Sequence, residues 1–266
     1  MSAAHGRPTR FRLGTTSFIW PDRMAPNVRR LGPLVDDVEL LLFSVDEDLP
    51  DAAEVAELAA LARAHALSFS VHTPLDASLA SEDEARRRLG VDKVRRAIEW
   101  GRPLAPSGYP VHVYLGDGEH DPAPPRDLDA WRARATRSLE ALLAQTSVAP
   151  RALCVECLDY DFALVAPVVR ALGLSMALDV GHLMRDGHGL VAALDAWLPL
   201  ARLIQLHGTR PDGRDHVSLT HAPRAEVAAL LRVLDERGWD GVLTLEVFGE
   251  RDLMESLALV RELRGG

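Results

Sequence analysis

Eight short apolar runs recur along the chain, at residues 12–18, 38–43, 68–72, 111–115, 152–157, 174–179, 203–207 and 242–247. Each has the length and the apolar continuity of a strand buried on both faces. Between them the pattern changes to apolar residues at three- and four-residue spacing, the period of an amphipathic helix. Such stretches span 51–65, 127–145, 161–172, 223–237 and 250–263. Another opens at Ser81, where Glu84 three residues on predicts a capping box. Pro223 near a helix start and Gly238 just past its end follow the usual asymmetry. Strand and helix alternating eight times predicts parallel strands with crossover helices, which close naturally into a single (β/α)8 barrel of the α/β class. An open doubly wound sheet is the alternative. No Gly-x-Gly-x-x-Gly follows the first strand, so a dinucleotide-binding version of that sheet is weakly supported.

Length and composition fit this picture. At 266 residues and 47% hydrophobic, the chain can fill one such barrel, read as residues 11–266 behind a flexible polar tail, 1–10. Lys and Arg total 30 against 39 Asp and Glu, a net charge of −9, which lowers the expectation of a nucleic-acid partner. The tail has no apolar core of signal-peptide length, and no later run reaches the roughly 18 apolar residues of a membrane span. A cytoplasmic protein with no membrane partner is therefore expected. Cys154 and Cys157 fall in the fifth apolar run, where alternation points them to opposite faces; they read as packing residues rather than a redox pair.

In a barrel the C-terminal strand ends converge on one mouth. The last four runs end in Glu156, Asp179, His207 and Glu246, each following an apolar residue, with Cys154, Ala177, Gln205 and Thr244 beneath them on the same face. Three carboxylates packed together repel one another, and a bound cation is the usual remedy. Neighbouring residues extend the set. His182 lies one turn beyond Asp179, with Gly181 between them to let the backbone bend; Asp215 and His216 follow His207 in a loop; His72 ends the third run. Mixed oxygen and nitrogen donors suit Zn²⁺, Mn²⁺, Co²⁺ or Fe²⁺ better than Ca²⁺, with Zn²⁺ or Mn²⁺ expected. His112 reads as a satisfied core histidine, and Glu119 and His120 as possible additional ligands. Arg210 and Arg214 are candidate phosphate partners, or else solvated loop arginines.

The order His72, Glu156, Asp179-x-x-His182, His207, Asp215-His216 and Glu246 resembles the xylose-isomerase-like barrels, the superfamily of the AP endonuclease family 2 nucleases. That superfamily includes sugar isomerases, epimerases and zinc-dependent nucleases that cut at abasic sites. A narrower likeness lies at the front. Arg12-Leu-Gly-Thr-Thr-Ser-Phe-Ile-Trp-Pro21, Asn27-Val-Arg-Arg-Leu31 and Val35-Asp-Asp-Val-Glu-Leu-Leu-Leu-Phe43 resemble the cobamide-remodelling phosphodiesterases. This resemblance implies hydrolysis of the nucleotide loop of a corrinoid substrate such as adenosylcobalamin, leaving a cobinamide phosphate for corrinoid salvage. One departure stands out. The nuclease-like relatives place a histidine ligand at the end of the fourth strand, where Tyr114 stands in this sequence. One or two ions rather than three are therefore expected, with Glu119 or His120 as replacements.

The expected chemistry is metal-assisted phosphodiester hydrolysis, with Glu156, Asp179, His207 and Glu246 as ligands. His72, His182, Asp215 and His216 would hold a second ion or steady the leaving oxygen. Glu156, Glu246, His182 and His216 are the residues expected to act on the substrate. Alternatives are a sugar isomerase or epimerase in which Glu156 and Glu246 exchange a proton at carbon, an abasic-site nuclease, and a non-catalytic metal- or corrinoid-binding barrel.

Overall fold

The alternation folds as a closed ring of parallel strands, seen in a computed structural model that describes residues 10–46, 49–116, 125–156 and 160–265. The strands are β1 (Arg12–Thr16), β2 (Asp37–Leu41), β3 (Ser68–His72), β4 (Tyr109–His112), β5 (Leu153–Glu156), β6 (Ser175–Asp179), β7 (Ala201–Leu206) and β8 (Val242–Leu245). The first-half helices are α1 (Met24–Leu31), α2 (Ala52–His65), α3 (Glu84–Gly101) and α4 (Leu128–Thr146). The second half adds α5 (Ala166–Leu172), α6 (Val180–Arg185), α7 (Leu190–Trp197), α8 (Arg224–Glu236) and α9 (Glu250–Leu263). Parallel ladders run in the order β3-β2-β1-β8-β7-β6-β5-β4. Val71 N–H donates to Gly108 O at 3.0 Å and Thr73 N–H to Pro110 O at 3.1 Å, bridging β3 to β4 and closing the ring.

The helix starts follow the aspartates. Asp51 accepts from Glu54 N–H at 2.9 Å, and Asp127 accepts from Ala130 N–H at 2.9 Å, satisfying amides that have no partner inside their helices. The expected capping box at Ser81 does not form. Asp83 caps α3 instead, and the Ser81 hydroxyl accepts from the Asp83 N–H at 3.1 Å. An aspartate two residues closer to the helix presents a better-placed acceptor. The segment after β1 forms α1, which buries Ala25, Asn27, Val28 and Leu31 against the barrel.

Four strand boundaries bear on the mouth. Strands β5 to β8 end at or next to Glu156, Asp179, His207 and Glu246, as the apolar runs indicate. Below them Cys154, Ala177, Leu203 and Val242, one from each strand, form a small buried cluster in the barrel. Burial pushes the Cys154 thiol up to about 12, consistent with packing rather than redox chemistry. Cys157 lies outside the described residues. The fourth strand is where the apolar run misleads. It occupies Tyr109–His112, two residues earlier than the run 111–115, because Val113, Tyr114 and Leu115 are buried beneath loops beyond the strand end. Of the tail expected over residues 1–10, only Arg10 falls among the described residues. No helix among the described residues is long and apolar enough to cross a membrane.

Candidate metal centre

The strand ends deliver their polar side chains to one buried locus. Glu156, Asp179, His207, Glu246, His72, His112 and His182 are all nearly inaccessible to solvent. With the half-buried His216 they form three overlapping sets in which the donor atoms lie within 4.8 Å of one another: His72, His112 and Glu156; Asp179, His207 and Glu246; and His182, His207 and His216. Glu156 Oε2 is 3.4 Å from His72 Nε2 and 3.3 Å from His112 Nε2. Asp179 Oδ2 is 2.6 Å from His182 Nδ1, and Asp179 Oδ1 is 3.6 Å from His207 Nε2. His216 Nε2 reaches to 3.5 Å of Glu246 Oε2, while its Nδ1 is 3.0 Å from Asp215 Oδ1. The loop that carries Asp215 and His216 is folded back by a bridge between Gly208 and Val217. His216 itself takes a left-handed φ of 54°, uncommon for a residue with a Cβ, to aim its ring at the mouth.

The donor set fits bound cations. His112 Nε2, Asp179 Oδ2, His182 Nδ1, His207 Nε2 and Glu246 Oε2 are buried without an aligned hydrogen-bond partner. Buried polar atoms rarely go unpaired, and five converging at one place call for a ligand. At His72 the second ring nitrogen is positioned so that the first can bind a metal. His72 Nδ1 lies 2.9 Å from Thr73 O, so an N–H on Nδ1 leaves its Nε2 with a lone pair, whereas His207 Nδ1 lies 3.2 Å from both Gly208 O and the His216 N–H, contacts that select neither tautomer. Gln205 Nε2 donates to Glu156 Oε2 at 3.2 Å and steadies that carboxylate.

Mutual charge shapes the titration of the metal-free site. Burial would lower His72, but the contact with Glu156 and the charges of Glu156, Glu39 and Glu246 raise it to about 10. His182 is raised to about 9 by Asp179 against the pull of burial, and His216 to about 10 by Glu246 and Asp215. His207 goes the other way, lowered chiefly by burial. Burial favours protonation of Glu156 and Asp179, yet the neighbouring imidazoles hold both below the usual carboxylate range. Glu39 on β2 is fully buried with both oxygens unpaired, and burial raises it well above its ordinary value. Sequence reasoning passed over Glu39 because it sits mid-run between Val38 and Leu40, where only strand alternation could have marked it as facing inward.

Two expectations change at β4. His112 is not a satisfied core histidine; it ends the strand at the mouth, and its Nε2 has no aligned partner. Tyr114 does not occupy a ligand place. Its hydroxyl sits 2.6 Å from His112 Nδ1 and donates to Leu75 O at 2.8 Å, which leaves its oxygen to accept from the imidazole. Tyr114 thus selects the His112 tautomer whose Nε2 is free for a metal. With His112 present, the described residues offer three overlapping groups of donors, two of them sharing His207. Glu119 and His120 lie outside the described residues.

Gly181 has a different role from the backbone bend expected of it. It is helical, and a Cβ there would stand 2.4 Å from both Cδ2 and Nε2 of His207. The glycine makes room for the ligand. Above the site a cavity of about 340 Å³ is lined by His72, His112, Glu156, His182, Asp215, His216 and Glu246 on one side and by Leu41, Phe43, Leu75 and Phe248 on the other. Arg210 and Arg214 do not line it. The guanidinium that does belongs to Arg185, tied to Asp186 at 2.7 Å and Asp215 at 3.1 Å.

Comparison with known proteins agrees with this architecture. No curated protein sequence matches the chain. Among solved structures, a D-tagatose 3-epimerase-like protein superposes with a TM-score of 0.76 at 18% identity, covering 95% of this chain and 97% of its own. A 3-keto-D-glucoside 4-epimerase from E. coli gives 0.70 at 17% identity, covering 96% and 100% respectively. Endonuclease IV from Thermus thermophilus gives 0.71 at 20% identity, covering 94% and 99%. At these identities the likeness is one of fold. Residues 27–263 also match a sequence family, and with a strand-end site of this composition the chain belongs to the xylose isomerase-like TIM barrel family.

Proposed function

We propose that this chain is a metal-dependent phosphodiesterase that hydrolyses the nucleotide loop of cobamides, leaving a cobinamide phosphate. The observation that carries the hydrolase reading is the number of donors. Beyond Glu156, Asp179, His207 and Glu246, the same locus holds His72, His112, His182 and His216, and the eight fall into three ligand sets. Chelation of neighbouring sugar oxygens can be done by a single ion, whereas displacement at phosphorus gains from cations at both the attacking and the leaving oxygen. When bound, divalent ions would supply Lewis acidity toward the phosphoryl oxygens and a more acidic water. In the reaction, water's oxygen joins phosphorus, the bond to the leaving oxygen breaks, and a proton reaches that oxygen. His182 and His216 line the cavity and would hold a cation that offsets charge on that oxygen, which takes its proton from solvent, while Arg185 adds positive charge at the rim. The cobamide specificity rests on the front motif, residues 12–21, 27–31 and 35–43.

A sugar epimerase is the second reading, favoured by fold likeness to a 3-keto-D-glucoside 4-epimerase. That chemistry asks Glu156 to take a proton from carbon. Two imidazoles already stand within 3.4 Å of Glu156 Oε2 and crowd the oxygen that would take it. Incubating the metal-loaded protein in parallel with adenosylcobalamin, an abasic-site duplex and a panel of ketoses tests the proposal. Release of cobinamide phosphate is the expected result, and conversion of a sugar alone would sink it. Glu246→Gln should abolish turnover with the fold intact, read by circular dichroism; full activity in that variant would remove Glu246 from the chemistry.

A further inference from the structure

Among the described residues only six large hydrophobic side chains are exposed, and three are phenylalanines at one side of the mouth. Phe18 follows β1, Phe43 follows β2 and Phe248 follows β8, with exposures of 47%, 45% and 43%. The other three, Leu89, Val191 and Met254, lie on separate helices of the outer layer. Single exposed apolar residues are ordinary, but a contiguous patch beside a site marks an interaction surface. The three follow neighbouring strands, β2, β1 and β8, and Phe43 and Phe248 line the same cavity. Phe18 and Phe43 meet edge to face with centroids 5.4 Å apart, and Phe248 stacks against His216 at 5.3 Å. The arc therefore runs directly into the ligand set.

Its supports are built to hold the rings still. The Ser17 hydroxyl accepts from Leu41 N–H at 3.1 Å, locking the end of β1 to that of β2. The Thr16 hydroxyl donates to Val247 O at 2.8 Å, locking β1 to β8. Asn27, fully buried, accepts from the amides of Ile19 and Trp20 and donates to three carbonyls, fixing the turn after Phe18. Rigid, exposed aromatic rings favour binding because little freedom is lost when a ligand arrives. Two inter-strand spacings separate β2 from β8, so the arc is about 10 Å wide. That exceeds a single purine and suits a macrocycle.

From this arrangement, and resting on the hydrolase reading above, we infer that Phe18, Phe43 and Phe248 seat the C–H and methyl surface of a broad macrocyclic ring, the corrin of the substrate, while its tethered phosphodiester reaches the metal side of the cavity. The test compares the metal-loaded wild type with Phe18→Ala/Phe43→Ala. Equilibrium dialysis uses cobinamide, which has the corrin ring without the nucleotide loop, and turnover is read with cobalamin and with methyl 4-nitrophenyl phosphate. The expected result is cobinamide binding weakened by roughly tenfold or more. KM for cobalamin should rise in parallel with kcat retained, and the small diester should be cleaved as before. Unchanged cobinamide affinity in the variant overturns the seat even if cobalamin is hydrolysed. Loss of cobinamide binding without any cobalamin hydrolysis by the wild type supports the seat and removes the hydrolase reading alone. A wild-type dimer that the two substitutions dissociate would assign the arc to a second copy of the chain and overturn the proposal.

Discussion

Gly181→Ala isolates the placement of His207. The new Cβ would stand 2.4 Å from the imidazole Cδ2 and Nε2, whereas such contacts relax at about 3.5–4.0 Å. Either the ring or the start of α6 must move by about 1 Å. The ring has little room to do so, being buried, stacked on His216 with centroids 4.2 Å apart and meeting His182 edge-on at 4.9 Å. Overpacking of this kind costs about 1–3 kcal/mol of stability. A ligand position, by contrast, tolerates only about 0.2 Å. The fold should therefore survive while affinity for the ion held by Asp179, His207 and Glu246 falls by at least about 100-fold, the upper end for a disturbed ligand support. Metal content after dialysis against a competing chelator reads the second effect, and calorimetric melting reads the first. Gly189→Ala is the control, since a Cβ there meets nothing within 4 Å and its backbone needs no positive φ. Wild-type metal content and affinity in Gly181→Ala would refute the geometry assigned to His207.

Tyr114→Phe keeps the ring and removes the oxygen that faces His112 Nδ1, so metal affinity should drop by about 10–100-fold with the melting temperature of the metal-free protein little changed; equal affinity in a chelator competition would free Tyr114 of any role in the site. Metal binding should release protons near neutral pH, because His72, His182 and His216 are raised to about 10, 9 and 10 and must lose their protons to bind a cation. With up to three protons displaced, the apparent association constant should climb by up to about a thousandfold per pH unit between pH 7 and 9; calorimetry in buffers of different ionisation enthalpy counts the protons, and fewer than one at pH 7.5 contradicts the reading. In the chelator-treated protein the sign reverses. These raised histidines stabilise the fold fully below about pH 6.5, and that stability is lost as pH rises through 9 to 10, so melting temperatures with and without metal should diverge as pH increases.

Much of the barrel was legible because a buried parallel strand writes itself as an apolar run and an amphipathic helix as a 3.6 period. The polar residues that end β5 to β8 stand out for the same reason, since each interrupts apolarity where the strand stops. Failure came where burial continued past a strand. Val113, Tyr114 and Leu115 are as buried as the strand before them, so apolarity alone set the end of β4 three residues late and assigned the ligand place to Tyr114 instead of His112. Gly181 was invisible for another reason: the collision it avoids is with His207, 26 residues on, and no local pattern records a distant ring. Arg185 and Glu39 likewise matter through neighbours brought by other strands. Residues whose role is set by their own strand can be read from the chain; residues whose role is set across the barrel need the fold.

The mouth is divided between two kinds of strand end, and the division bears on how one ligand set can serve several reactions. Among the described residues the candidate ligands come from β3 to β8, α6 and the loop after β7, and none of the three donor sets draws on β1 or β2. Those two strands, with β8, carry the phenylalanines. A metal set built from four or more strands is constrained by every one of them, because a shift in one donor disturbs all the others. The side formed by β1 and β2 has no such obligation and can change its residues at little cost to metal binding. Substrate choice should therefore be recorded on that side, in Phe18, Phe43 and the turns that brace them. It follows that exchanging the 17–21 and 42–46 segments for polar turns should alter which molecule is bound before it alters how many ions are held. A barrel whose metal content and substrate preference moved together under that exchange would show the two halves to be one unit.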